Sequence, residues 1–460
     1  MNVKRIFGSV SFYKAALSIA LPIMLQQLIQ SLVSLVDNFM VSGLGDVSMS
    51  GVNIAGQILF VFLIFTNTIC MTGGIFLTQF FGAKERSGMQ QAFSFKLIMG
   101  LLVLIPYFMV CLAYPKQILS LLVVGNTQAD AIISEGVRYI RIMSLVGIPM
   151  TFSICIASSL RDMGKVRLPL AVTVVATLSN TVCNYIMIYG HFGIPAMGVR
   201  GAAFATVIAR TLEFLIFAVI YMKIKPQFGI WLSEKFRIDV VLFREMLKKG
   251  ALVLFCEMTW AVSETIITAI YNGRGGADVV SGMAASFAIA NLFFVAFNGI
   301  CTTTVVLIGK TLGEGELSRA RQEKTWLLSG SAVFGVMMTL FGMVTTLAVP
   351  IVYARLSVNA IDICRRMVIL LSLFMPIWVY MNTQMSVARA GGDTKMGACV
   401  DASINIIVML PMLFMLARYT GIGPVEMYLC VKLLDIIKIV IFQFWMKKER
   451  WLRNLTVEHE

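Results

Sequence analysis

The stretch Ala15–Val41, AALSIALPIMLQQLIQSLVSLVDNFMV, contains no Lys or Arg and a single acid, Asp37. A helix rises about 1.5 Å per residue, so roughly 20 mostly apolar residues cross the hydrocarbon core of a bilayer. This run is long enough, and a helix suits that depth because its backbone hydrogen bonds close within the segment. Its polar residues are also ordered. Gln26, Gln30, Ser34 and Asp37 follow at intervals of four, four and three, which sets them on one helical face.

Eleven more runs read the same way: Gly51–Phe81, Ala92–Ala113, Val137–Leu160, Leu168–Tyr189, Gly201–Met222, Gly250–Tyr271, Gly282–Leu307, Trp326–Val349, Val368–Val387, Met396–Ala417 and Val425–Trp445. Composition agrees, since the 460 residues are 58% hydrophobic and 13% charged, whereas soluble domains are about 45–50% apolar and about 25% charged. The expected fold class is an all-α membrane protein of twelve transmembrane helices, with the lipid bilayer as its solvent. The net charge of +14 sits in short basic clusters between apolar runs, a membrane-topology pattern that gives no reason to expect nucleic acid. Two histidines, His191 and His459, are too few for a triad or a histidine metal site, and the nine cysteines include no C-x-x-C pair. No nucleophile–base constellation and no Walker lysine pattern is visible, so neither enzyme chemistry, nor a cofactor, nor ATP as energy source is expected.

Lys and Arg number 26 on the side holding both termini and the basic loop Lys223–Lys249, against 9 on the other side. The positive-inside rule then makes both termini and that loop cytoplasmic, in a cell inner (plasma) membrane. The N-terminal segment leads into a long span with no small-residue cleavage site, so signal-peptide removal is not expected.

An internal repeat appears when the chain is slid by 231 residues: Gln26 meets Glu257, Gly45 meets Gly276, Ser50-Gly51 meets Ser281-Gly282, and Gly82 meets Gly313. At slightly shorter shifts Arg161 and Gly164 meet Arg389 and Gly392, and Arg210 and Glu213 meet Lys432 and Asp435. The expected organisation is two pseudo-symmetric six-helix bundles, residues 1–222 and 250–460, joined by a cytoplasmic linker, residues 223–249, with a cytoplasmic tail. An even number of spans per half makes the repeats share one orientation.

Ionisable residues at membrane depth are costly and mark functional sites by default. In the fifth span Thr173, Thr177, Asn180 and Asn184 form a second polar stripe. Convergence of this stripe on Asp37 offers a carboxylate and amide oxygens to a hard cation or a proton, although the same residue types also serve interhelical hydrogen bonds. In the second half Glu257 and Glu264 share one face, Asn291 and Asn298 repeat that spacing, and Asp401 and Asn405 lie four apart. An inward acidic surface suits organic cations; a wet helix end accounts equally for Glu264. Arg210 with Glu213, and Lys432 with Asp435, read as structural i, i+3 ion pairs.

Seven segments then carry a resemblance: LPIMLQ (Leu21–Gln26), VDNFMV (Val36–Val41), TQFFGA (Thr78–Ala83), LRDMGK (Leu160–Lys165), Asn180–Asn184, GVRGAAFAT (Gly198–Thr206) and RAGGDT (Arg389–Thr394). In this order the chain resembles the multidrug and toxic compound extrusion (MATE) transporters. The resemblance implies a V-shaped pair of bundles and secondary antiport by alternating access, exporting small-molecule organic cations in exchange for protons or sodium. Its ion-coupling site falls on Asp37, Asn180, Asn184, Ala202 and Thr206, and Asp37, Asn180 and Asn184 are the metal ligands if sodium is the ion. The acidic residue of the seventh span falls on Glu257. A substrate cavity is expected around Gln26, Gln30, Ser34, Glu257, Glu264 and Asn291, in a protein expected to be a monomer. Asn184 stands where many members have aspartate, and the tenth span has Asn382 and Gln384 but no carboxylate, so the reading favours protons over sodium. A flippase for a lipid-linked precursor is the alternative; it needs a strongly cationic cavity.

Overall fold

The computed structural model describes residues 6–123, 127–231, 237–354 and 356–457. Lys4, Arg5, Lys235, Arg355 and His459, which enter the counts above, lie outside the described residues. Among the described residues there is helix and connecting turn but no strand. The first half contains α1 (Val10–Ser42), α2 (Asp46–Gly82), α3 (Arg86–Phe108), a π-helical turn (Met109–Ala113), a short α4 (Pro115–Leu122), α5 (Ala129–Met143), α6 (Gly147–Asp162), α7 (Arg167–Tyr189) and α8 (Val199–Ile224). The second half contains α9 (Val240–Asn272), α10 (Ala277–Gly313), α11 (Leu317–Val352), α12 (Val358–Ala390), π-helical turns at Gly397–Ala402 and Asn405–Met409, α13 (Leu410–Tyr419), α14 (Pro424–Lys432) and α15 (Leu434–Lys447).

The chain is an all-α membrane protein with twelve transmembrane segments. Ten helical segments are apolar enough to span a bilayer by length and composition alone. The other two expected spans lie on α12 and on α14 with α15. In α12 the stretch Met367–Ala388 between Arg366 and Arg389 carries no charge, and α14 and α15, of 9 and 14 residues, are each too short alone to cross. Lipid-facing stripes are visible where no polar stripe runs. In α11 Val336, Leu340, Val344 and Leu347 recur at helical spacing and are all more than half exposed, as residues bathed in acyl chains are.

Two compact units form: residues 25–77 with 85–246 (the N-terminal unit), and residues 1–24, 78–84 and 247–460 (the C-terminal unit). The N-terminal unit buries a basic residue of the run Ala92–Ala113 between helices. Lys96 of α3 is fully buried, and its ammonium lies 2.5 Å from Asp162 Oδ2, 3.0 Å from Ser158 Oγ and 3.1 Å from Ser159 Oγ of α6. Three acceptors match its three donors, which lets a lysine sit between helices at a depth where it has no water.

In the C-terminal unit the repeat becomes physical contact. A Cβ on Gly82 would stand 2.1 Å from the carbonyl oxygen of Lys310, and one on Gly313 would stand 1.9 Å from that of Gln79. Residues 79 and 310, and 82 and 313, are the same pair of repeat positions, so each copy offers its glycine to the other's carbonyl, as two elements related by a twofold axis do. The tail belongs to this unit too. Trp451 and Leu455 are buried, Leu455 N–H donates to Gln79 Oε1 at 2.7 Å, and Gln79 Nε2 donates to the carbonyl of Ala390 at 2.7 Å.

Candidate functional site

The polar stripes of α1 and α7 meet in the N-terminal unit. Gln26 Nε2 donates to Thr173 Oγ1 at 2.7 Å, and Asn184 Nδ2 donates to Asp37 Oδ1 at 2.8 Å. Both pairs are 147 residues apart, so α1 and α7 run parallel and in register over about three turns, roughly 16 Å. Spacing decides this: Gln26 to Asp37 and Thr173 to Asn184 are equal steps along two helices of the same pitch. Asn180 joins the cluster, its Oδ1 3.4 Å from Asn184 Nδ2.

The site's back wall is α8. Gly201 lets it close on α7, since a Cβ there would stand 2.4 Å from the Met187 carbonyl oxygen, and this approach brings Ala202 into a small apolar cluster with Val41 and Ile188. Thr206 lies one turn further on, but its hydroxyl donates to the Ala202 carbonyl at 3.0 Å and does not bond Asp37. Gln30 is half-buried and Ser34 exposed; neither makes a side-chain hydrogen bond among the described residues, so only the two ends of the α1 stripe are engaged. Two neighbours were not foreseen. Tyr139 of α5 stands beside Thr206 and near Asp37, and Arg210, in the wider surroundings of Asp37, pairs directly with Glu213 at 2.8 Å. A lone tyrosine in an apolar helix carries no sequence signal of such a role.

Asp37 has no ion-pair partner among the described residues. Asn184 Oδ1 is buried with no hydrogen-bond partner. The amide therefore turns its donors to two oxygens, those of Asp37 and Asn180, and leaves its own acceptor idle.

The C-terminal unit is wired differently. Glu257 of α9 pairs with Arg389 of α12 at 2.9 Å, and Glu264 pairs with Lys432 at 3.4 Å. Lys438 of α15 is held by Asp401 Oδ1 at 3.0 Å, Asp435 Oδ1 at 3.0 Å and Asn405 Oδ1 at 2.7 Å. Lys432 thus does not form the expected i, i+3 pair with Asp435. Lys432 reaches Glu264 of α9 instead, and Lys438 takes Asp435 from within α15. Arg210 and Glu213 pair as expected. Asn291 and Asn298 are exposed and stand apart from these pairs.

Residues 22–186 match the MatE family model, and the probable multidrug resistance protein NorM of Pasteurella multocida is 25% identical over 89% of this chain and 88% of its own. The chain is similar to the MATE family of transporters. The probable NorM of Agrobacterium fabrum is 24% identical over 66% of this chain, and the match spans 65% of that relative's length, just under two thirds. Among solved structures, an outward-facing multidrug resistance MATE family transporter superposes with a TM-score of 0.85 at 16% identity, covering 97% of each chain. At that identity the structural likeness speaks for the MATE fold alone.

Proposed function

We propose that this MATE protein exports organic cations across the plasma membrane by alternating access of two six-span lobes, residues 1–222 and 250–460, and that it takes up a proton at Asp37 in exchange. One observation carries the reading. Asp162, Glu213, Glu257, Glu264, Asp401 and Asp435 each lie within ion-pair distance of a basic side chain, whereas Asp37 does not among the described residues. A carboxylate without a counter-charge at membrane depth is costly. Whatever neutralises it shifts the balance between packings of α1 by its differential affinity for them.

The donor set favours a proton as that neutraliser. A proton joins Asp37 with no rearrangement, while sodium needs several oxygens at once. Asn184 Nδ2 now stands between the Asp37 and Asn180 oxygens, where a metal would sit, and the amide must turn before its idle oxygen faces an ion. The flippase alternative finds less support, because Arg389, Lys432 and Lys438 of the C-terminal unit are each paired with acids and do not form the free cationic surface that phosphates need. Relatives named multidrug resistance proteins support small-molecule cargo; we read the exporter as a monomer with both termini in the cytoplasm.

The test is Asp37→Asn in reconstituted liposomes. Gradient-driven efflux of a fluorescent organic cation such as ethidium is expected to vanish while the thermal melt in detergent is retained. Efflux at the wild-type rate overturns the assignment.

A further inference from the structure

Lys432 and Lys438 lie six residues apart, yet their surroundings differ in kind. Lys438 meets three oxygen acceptors at 2.7–3.0 Å, one for each of its N–H donors. Lys432 has one carboxylate, Glu264, at 3.4 Å, at the loose end of hydrogen bonding. Asp435 acts on it only from beyond ion-pair distance, and aromatic rings stand closest on its other sides. Its ammonium lies 5.3 Å from the Tyr428 ring centroid and 5.6 Å from that of Trp378.

These walls are built, not incidental. Trp378 is fixed through its indole N–H, which donates to Asp435 Oδ2 at 2.8 Å. Tyr271 packs its ring 5.9 Å from Tyr428, and its hydroxyl is buried without a hydrogen-bond partner, with Lys432 and Glu264 within electrostatic reach. Trp378, Tyr428 and Tyr271 are 7%, 2% and 1% exposed, while Glu264 keeps 33% of its side chain accessible. The box is closed at the back and open on the carboxylate side.

Aromatic faces and a distant carboxylate fit a weakly hydrated, bulky cation better than a compact primary ammonium, which wants short oxygen contacts. We propose that Lys432 is a tethered cation seated in a binding box for organic ammonium ions made by Glu264, Trp378, Tyr428 and Tyr271, so that such an ion binds there only by displacing the lysine. Lys432 supplies the counter-charge that keeps Glu264 neutralised when no ligand is present. Because it is tethered, it competes at a high effective concentration, so only ligands that use the aromatic walls well displace it. The inference rests on the exporter reading for its meaning in transport but not for its test.

The experiment is calorimetric titration of the purified full chain in detergent with tetramethylammonium chloride at constant ionic strength, with tert-butanol as the neutral control of similar volume. Lys432→Met, which removes the charge and keeps an unbranched apolar stem, is expected to bind tetramethylammonium at least tenfold more tightly than wild type, with no such gain for tert-butanol. That gain is expected to disappear in the double variants Lys432→Met/Trp378→Leu and Lys432→Met/Glu264→Gln. No gain in a folded Lys432→Met protein, or a gain that survives both second substitutions, overturns the proposal. If Lys432→Met fails to fold, Lys432→Gln is titrated in its place under the same criteria. Failure of ion-driven efflux by the wild type overturns the exporter reading and leaves this binding result standing; failure of the titration does the reverse.

Discussion

Asn184→Asp changes the sign of the Asp37 site's best hydrogen bond. In the wild type the Asn184 amide donates to Asp37 Oδ1 at 2.8 Å; in the variant two carboxylates face each other at that place. After relaxation to about 4 Å, and at an effective dielectric constant of about 20, two unit charges repel by about 4 kcal/mol. A cation between them recovers that energy, and with Asn180 Oδ1 nearby it finds three oxygens. An energy of about 4 kcal/mol is worth about three powers of ten in affinity. Loss of the amide bond and dehydration of sodium consume part of it, so we expect sodium to bind the variant about 100-fold more tightly than the wild type. The assay is efflux of an organic cation from liposomes driven by a sodium gradient at equal pH, with sodium binding measured by calorimetry. The variant is expected to respond to sodium and the wild type to ignore it. A variant that still ignores sodium and runs on a pH gradient at the wild-type rate refutes the argument that one missing carboxylate sets the ion.

Two further outcomes concern packing. Lys96→Met leaves Asp162 buried beside two serines without its cation and is expected to cost about 3–5 kcal/mol, most of it recovered in Lys96→Met/Asp162→Leu; thermal unfolding in detergent checks both, and a single-variant loss under about 1 kcal/mol contradicts the buried pair. Gly313→Ala drives a methyl into the Gln79 carbonyl oxygen at 1.9 Å and is expected to cost about 1–3 kcal/mol by overpacking, whereas Gly56→Ala, which meets nothing within 4 Å, is expected to cost nothing measurable in the same melt.

Much of the architecture was legible because it is periodic. Apolar runs of bilayer length gave the spans, and the stripes ending in Asp37 and Asn184 gave the two faces that meet, since equal spacing on parallel helices forces both pairs at once. The offset that aligned Gly82 with Gly313 also aligned Gln79 with Lys310, and the four residues lie in reciprocal contact. What escaped depends on distant partners. Lys432 and Asp435 match Arg210 and Glu213 in spacing, but Lys432 reaches Glu264, 168 residues away, and Asp435 is taken by Lys438. The burial of Lys96 could not be read from its own segment, because its three acceptors lie on another helix, more than 60 residues on. The tail reads as a solvated basic end, yet Trp451 and Leu455 are buried, and the glutamine that receives Leu455 is 376 residues upstream.

The central claim, that Asp37 exchanges a proton for the exported cation, is tested most directly in liposomes holding purified wild-type protein, with no sodium on either side and an imposed pH gradient. The account predicts that transport of the fluorescent cation follows the direction of that gradient, stops when an ionophore collapses it, and is missing in parallel Asp37→Asn liposomes. Transport that requires sodium and ignores the pH gradient contradicts it.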